Sequence, residues 1–290
     1  MKKNNAFLRK VLTVVLGGGG YALLFYQLLA KEHIAWSEVS SLAVVTPLNV
    51  VLAVLVWVAY IASQGLYLKQ VFASWKIPLS NREAVEIWLS TVASGLITFG
   101  ISGFVIIFYE AKKRLGSLSN AQYSRLVAGY YVGYILAIVI VLLLTLAITP
   151  MGAALQILFL SIAILLAILP IIWKQIAWLG PLWALPAVLL NFGLLLVSLL
   201  FFNIHLSFMD SLKAYDVTIV LSSISPSSGG VGVVEVGLLK YLQFSGLSSV
   251  AAPLVTLAYR LISFWLTALV GYFVALAMGL RDGGEKKTAE

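Results

Sequence analysis

Two charged residues stand where a chain this apolar should carry none. Arg260 lies ten residues into an apolar run from about Val250 to Leu280, roughly 15 Å along a helix axis at ~1.5 Å per residue. A guanidinium at that depth costs about 2.5–3.5 kcal/mol on insertion scales, so it needs a partner or a purpose. The comparable acid is Glu235, which closes the run Pro226-Ser227-Ser228-Gly229-Gly230-Val231-Gly232-Val233-Val234-Glu235. A Glu235–Arg260 pair in a central cavity is the expected geometry. The guanidinium could then offer bidentate contact to a phosphate. Gly229, Gly230 and Gly232 would let backbone N–H groups approach the same anion at the start of a half-helix. The alternative is an ion pair that only fixes helix packing. Tyr259, Asn191 and Gln64 are further polar groups inside apolar runs, where cross-helix bonding is their usual role. The candidate substrate-binding set is Pro226, Gly229, Gly230, Gly232, Glu235, Tyr259 and Arg260.

No catalytic constellation accompanies them. The chain has no cysteine, which excludes disulfides, thiolate metal sites and cysteine nucleophiles. His33 and His205 fall in separate polar connections, and no metal site is expected from them. There is no Gly-rich phosphate loop of the P-loop type, no histidine near a serine nucleophile and no pair of carboxylates. Ser223 and Ser225 have no specific spacing to Glu235. Neither enzymatic activity nor a cofactor is expected.

The elements that must position these residues are membrane helices. Of the 290 residues 61% are apolar and 10% charged, and the mean hydropathy is +1.02, far above the roughly 45–50% apolar content of soluble domains. The formal charge of +8 does not point to nucleic acid, because the basic residues sit between apolar runs, where they read as topology signals and anionic-lipid contacts. Apolar runs of spanning length occur at about Val11–Ala30, Leu42–Leu66, Tyr123–Thr149, Ala153–Trp173, Leu182–Ile204 and Val250–Leu280. The first follows Lys2, Lys3, Arg9 and Lys10 and reads as an uncleaved anchor, with Gly17–Gly20 as a close-packing surface. Tyr67–Ser90, with Lys69, Lys76, Arg82, Trp75 and Trp88, reads as an interfacial stretch with aromatic anchors. Ser80/Glu83 and Ser119/Gln122 have the spacing of capping boxes, so helices are expected to open just after Ser80 and Ser119. Trp173, Trp178 and Trp183 bracket Lys174 as an aromatic belt.

Two further apolar segments are broken and should not span. Trp88–Tyr109 is interrupted by Gly95, Gly100 and Gly103, and 217–248 by Pro226 and its glycines. If both return to the side they entered from, 15 of the 19 Lys and Arg fall on the cytoplasmic side, as the positive-inside bias requires. The expected fold is an all-α polytopic membrane protein. It has about six full spans plus two re-entrant helical hairpins, both termini cytoplasmic, in the cell membrane. Residues 1–280 form a single transmembrane domain and 281–290 a disordered tail. A shift of 129 residues aligns Ser94/Ser223, Gly100/Gly229, Gly103/Gly232, Val105/Val234, Leu118/Leu247, Ser119/Ser248 and Tyr130/Tyr259. That suggests an inverted repeat with halves at roughly 42–149 and 180–280, an arrangement typical of transport proteins with broken helices at the midplane.

The run from Pro226 to Glu235, followed by Tyr259-Arg260, resembles the signature of the lysylphosphatidylglycerol synthase transmembrane-region family, relatives of the flippase domain of the bacterial multiple peptide resistance factor. The motif covers only about 226–260, while the hydropathy pattern is similar over most of the chain. The resemblance implies translocation of a phospholipid or modified lipid, anionic or aminoacylated, between leaflets, with Glu235 and Arg260 at the lipid path. No soluble synthase domain is expected within these residues. The first half departs from the pattern, because Ile106 and Tyr131 stand opposite Glu235 and Arg260. A secondary transporter of a small polar solute, or a scaffold or accessory subunit for a lipid- or glycan-modifying enzyme, remains the competing expectation. Homo-oligomerisation is left open.

Overall fold

A computed structural model describes residues 45–97, 101–115, 119–172, 180–225 and 228–287, with residues 40, 42 and 43 ahead of them. Several expectations fall outside the described residues: the span Val11–Ala30 with its glycines, His33, Gly100, Trp173, Lys174, Trp178 and Pro226. The described residues are helical, with no strand. In chain order the helices are α1 (Pro47–Ser74), α2 (Asn81–Ile97), α3 (Ile101–Leu115), α4 (Asn120–Ile148), α5 (Ala153–Ile172), α6 (Gly180–Leu200), α7 (Phe208–Ile224), α8 (Val233–Phe244), α9 (Ala251–Arg260) and α10 (Thr267–Lys287). A 3-10 turn at Ser228–Gly230 precedes α8, and a π turn at Leu261–Leu266 joins α9 to α10 without interrupting the helix.

Among the described residues four helical stretches are long and apolar enough to cross a membrane: Pro47–Ser74, Ala128–Ile148, Leu182–Leu200 and Ala251–Met278. Ala153–Ile168 is a shorter apolar one. Their outer faces carry large exposed apolar side chains, such as Leu48, Val51 and Leu55 on α1 and Ile157, Leu158 and Leu165 on α5. An apolar surface this extensive suits lipid rather than water.

The helices start where short polar side chains answer the free N–H groups of the first turn. The Thr46 hydroxyl accepts from Asn49 N–H at 3.2 Å, with Pro47 at the first helical position, where its missing donor costs nothing. Both expected capping boxes form. Ser80 Oγ accepts from Glu83 N–H while Glu83 Oε2 accepts from Ser80 N–H at 2.7 Å. Ser119 and Gln122 do the same at the head of α4. Ser207 caps α7 through Asp210 N–H at 3.0 Å.

The stretch Tyr67–Ser90, expected at the interface, holds the last turns of α1, in which Tyr67, Leu68 and Phe72 are fully buried, then a short connection and the first turns of α2. Positions 67, 68, 71 and 72 share one helix face, so Lys69 can turn away and donate to Asn81 Oδ1 at 2.8 Å. Trp88, expected as an interface anchor, is buried edge-on to Tyr60, with ring centroids 5.7 Å apart. At the other end α10 continues through Lys287. A helix already nucleated extends at little cost per added residue.

Each broken segment folds back on itself. α2 and α3 pack together, and Arg114 near the end of α3 donates to Glu83 Oε1 near the start of α2 at 2.8 Å. In the second hairpin α7 lies so close on α8 that a Cβ at Gly237 would sit 2.0 Å from Leu221 Cδ1. The element order long helix, hairpin, long helix occurs twice, as α1, α2–α3, α4 and as α6, α7–α8, α9–α10. The equivalent helices α1 and α6 pack antiparallel, with Asn49 at the start of α1 donating to the Leu200 carbonyl at the end of α6. The first hairpin packs on α10 and the second on α4, so each half embraces the last helix of the other.

The hairpin clasp has a pH signature. Arg114, then the Ser80 N–H and hydroxyl, hold the Glu83 carboxyl down from 4.5 to about 2. A depressed carboxyl stabilises the fold fully above its unfolded pKa and loses that contribution as pH falls through its folded one. Detergent-solubilised protein should therefore lose thermal stability between about pH 4.5 and 2. Glu83→Gln should flatten that part of the profile, by a modest amount because the side chain is 40% exposed and solvent screens it.

Candidate functional site

The second hairpin turns on three glycines with left-handed backbone: Gly229 at φ 62°, Gly230 at φ 70° and Gly232 at φ 88°. Space forbids side chains at the first two as well. A Cβ at Gly229 would lie 2.3 Å from the Phe264 ring, and one at Gly230 would lie 2.9 Å from Ser222 Cα. Gly232 N-caps α8 and has no side chain to serve its own first turn. Glu235, at the third helical position, reaches back instead, and its Oε2 accepts from Gly232 N–H at 2.6 Å. A carboxylate there also faces the positive end of the helix dipole.

The other carboxylate oxygen meets Arg260. Arg260 Nε donates to Glu235 Oε1 at 2.7 Å and Nη2 donates to the Gly229 carbonyl at 2.9 Å. The guanidinium carbon lies 4.6 Å from the Phe264 ring centroid, within cation–π range. Glu235 is 0% exposed and Arg260 5%. The pair expected from sequence is thus formed, and it ties the broken hairpin to the last long helix. The glycines take different roles from those expected. The anion at the half-helix start is the protein's own Glu235, and Gly229 contributes a carbonyl rather than an N–H. Tyr259 is buried and its hydroxyl donates to Asn191 Oδ1 at 3.1 Å, which joins α9 to α6 as cross-helix bonding predicts.

Beside the pair lies a cavity of ≈ 240 Å³. Gly95 on the first hairpin and Gly229 on the second both line it, so the broken segments of the two halves converge on one space. Its walls are aromatic and uncharged: Tyr60 and Gln64 from α1, Trp88 from α2, Tyr130, Tyr131 and Tyr134 from α4, and Ser263, Phe264 and Thr267 from the last helix. The Gln64 amide donates to the Tyr134 hydroxyl at 3.4 Å. The Trp57 indole N–H donates to Thr267 Oγ1 at 2.9 Å behind the wall. Gln64 Oε1 and Ser263 Oγ are buried without a partner at normal hydrogen-bond length, the Tyr60 hydroxyl lying near Gln64 and the Tyr259 hydroxyl near Ser263. Tyr131 is 37% exposed, and its neighbours Val132 and Ile135 also face outward, so the cavity borders the apolar outer surface there. Among the described residues no group of three or more His, Cys, Asp or Glu could hold a metal ion.

The sequence reading placed Glu235, Arg260 and the glycines at the site and missed most of the cavity wall. Gln64 was noticed only as a polar residue in an apolar run. The tyrosines carried no periodic signal of their own. No protein-family model matches the chain, and no match is found among curated proteins.

Proposed function

We propose that this protein moves a phospholipid or modified lipid between the leaflets of the cytoplasmic membrane. The observation that carries the reading is the cavity bordered by both broken hairpins and by the exposed Tyr131. A head group can occupy such a space while its acyl chains stay among the outward-facing apolar side chains. A carrier of small solutes would need a cavity closed toward lipid. The twice-repeated order of helix, hairpin and helix, with α1 antiparallel to α6, supports an inverted repeat of the kind found in alternating-access proteins. On this reading the two hairpins re-enter from opposite sides and about six helices span, with both termini cytoplasmic. The likeness of 226–260 to the lysylphosphatidylglycerol synthase transmembrane region supports the same activity.

The Glu235–Arg260 pair keeps the hairpin backbone at the cavity wall, where irregular backbone is tolerable only if buried or wet. Arg260 uses two of its five N–H donors on Glu235 and Gly229, so in this reading a lipid phosphate arriving at the hairpin is met by the remaining donors while the pair stays in place.

Dithionite quenching of fluorescent phospholipids in proteoliposomes is the test. With the wild type, inner-leaflet probe should become accessible, and well-folded Arg260→Ala and Glu235→Gln should slow this by about tenfold or more, the worth of one charge-assisted hydrogen bond. No acceleration with any head group would leave a solute transporter or a scaffold as the better reading.

A further inference from the structure

We infer that the cavity receives a neutral, hydroxyl-bearing head group, a polyol or a single sugar ring, rather than an ammonium or phosphate group. The inference rests on the lipid reading above and names the chemistry that the cavity selects. Among the described residues no Asp, Glu, Lys, Arg or His lines the space. Glu235 and Arg260, beside the cavity, do not line it and are bonded to each other. A phosphate entering here would lose its hydration without meeting a counter-charge, and an ammonium would find only the ring faces of the wall to offset the same loss.

The wall does ask for hydrogen bonds. Gln64 is 3% exposed and Ser263 7% exposed, and neither Gln64 Oε1 nor Ser263 Oγ has a partner at normal hydrogen-bond length, with the Tyr60 hydroxyl near the first residue and the Tyr259 hydroxyl near the second. Buried polar atoms without partners are rare and costly in folded proteins. Turning the Gln64 amide over exchanges its oxygen and nitrogen, which leaves an unanswered donor in place of an unanswered acceptor. A hydroxyl answers either orientation, because it both donates and accepts. An ammonium only donates and a phosphate dianion or diester oxygen only accepts. Around these two atoms Tyr60, Trp88, Tyr130 and Tyr134 offer flat apolar ring surface, suited to the C–H faces of a sugar or glycerol. A cavity of ≈ 240 Å³ suits one small head group. The repeat points the same way. Tyr130 and Tyr131 occupy the positions that correspond to Tyr259 and Arg260, so the half that faces the cavity most fully has an aromatic hydroxyl where its counterpart has a charge.

Binding is tested apart from transport. In amine-oxide micelles, the melting temperature is followed against dihexanoyl lipids carrying glycerol through a phosphodiester, a single glucose through a glycosidic bond, ethanolamine or choline. The glycerol and glucose lipids should stabilise the wild type with half-saturation about tenfold lower than the other two. The phosphodiester-linked and glycosidic arms identify which source is preferred. Gln64→Leu and Ser263→Ala should each weaken binding of the hydroxylated lipids by about five- to tenfold, the worth of one buried hydrogen bond. Stronger stabilisation by choline or ethanolamine, equal stabilisation by all four, or none by any of them overturns the inference. Because the wild-type ranking needs no variant, a poorly folded substitution does not obscure it. Selective binding without lipid scrambling would sink the translocase reading and leave this one standing. Scrambling that ignores the head group would do the reverse.

Discussion

Arg260→Ala is expected to cost about 3–5 kcal/mol of stability, seen as a large drop in melting temperature in detergent. Most of that cost comes from what is left behind. Glu235 has no exposed surface, so removing its partner strands a carboxylate whose remaining hydrogen bond is the Gly232 N–H, while the Gly229 carbonyl loses its donor. Replacing both members, as in Glu235→Leu with Arg260→Met, should recover much of the loss, because an apolar pair of similar volume carries no desolvation penalty. The double variant separates two roles that the single one confounds. If it is stable and still moves lipid, the pair only fixes packing. If it is stable and inactive, the charges act on the cargo. Wild-type stability in Arg260→Ala would contradict the buried pair itself.

Gly230→Ala should cost almost as much. At φ 70° any side chain pays roughly 1–2 kcal/mol for left-handed backbone. The added Cβ would also stand 2.3 Å from Val234 Cγ2 and 2.9 Å from Ser222 Cα. The valine can rotate, but the Ser222 backbone belongs to α7 and cannot withdraw without opening the hairpin. Over-packing of that kind adds about 1–3 kcal/mol. Gly246→Ala is the control, since that glycine has φ 93° but nothing within 4 Å of an added Cβ. It should show the backbone strain alone. Equal melting temperatures for the two variants would mean that Ser222 does not crowd the turn.

Local chemistry made much of this fold legible. Capping at Ser80 and Ser119 is decided within four residues, so the sequence was enough to locate the starts of α2 and α4. The partnership of Glu235 with Arg260 was legible for a different reason. Two opposite charges in apolar surroundings have few alternatives, even 25 residues apart. The burial of Trp88 and of the face after Tyr67 was not legible, because lysines and tryptophans near a helix end have the composition of an interface. Which face of that helix is buried depends on neighbours contributed by α4 and by the last helix. The cavity was hidden for the same reason. Tyr60, Trp88, Tyr130 and Ser263 come from four helices, and no spacing within one helix records that they meet. The roles of Gly229 and Gly232 were legible as turns but not as donors or acceptors, since that depends on how Arg260 and Glu235 arrive.

The embrace between the halves has a consequence for biosynthesis. The α2 backbone at Leu89 is in such close contact with Gly271 of α10 that an added Cβ would meet the Leu89 carbonyl oxygen at 2.1 Å. Gly271 leaves the ribosome about 180 residues after Leu89, a wait of roughly 10–40 s at 5–20 residues per second. Through that interval the first hairpin is complete by its own local contacts yet lacks the surface against which it finally rests. The insertion machinery or a membrane chaperone must shelter it until the last helix arrives. A nascent chain stalled before Gly271 should therefore expose the first hairpin to protease, and release of the full-length chain should close it.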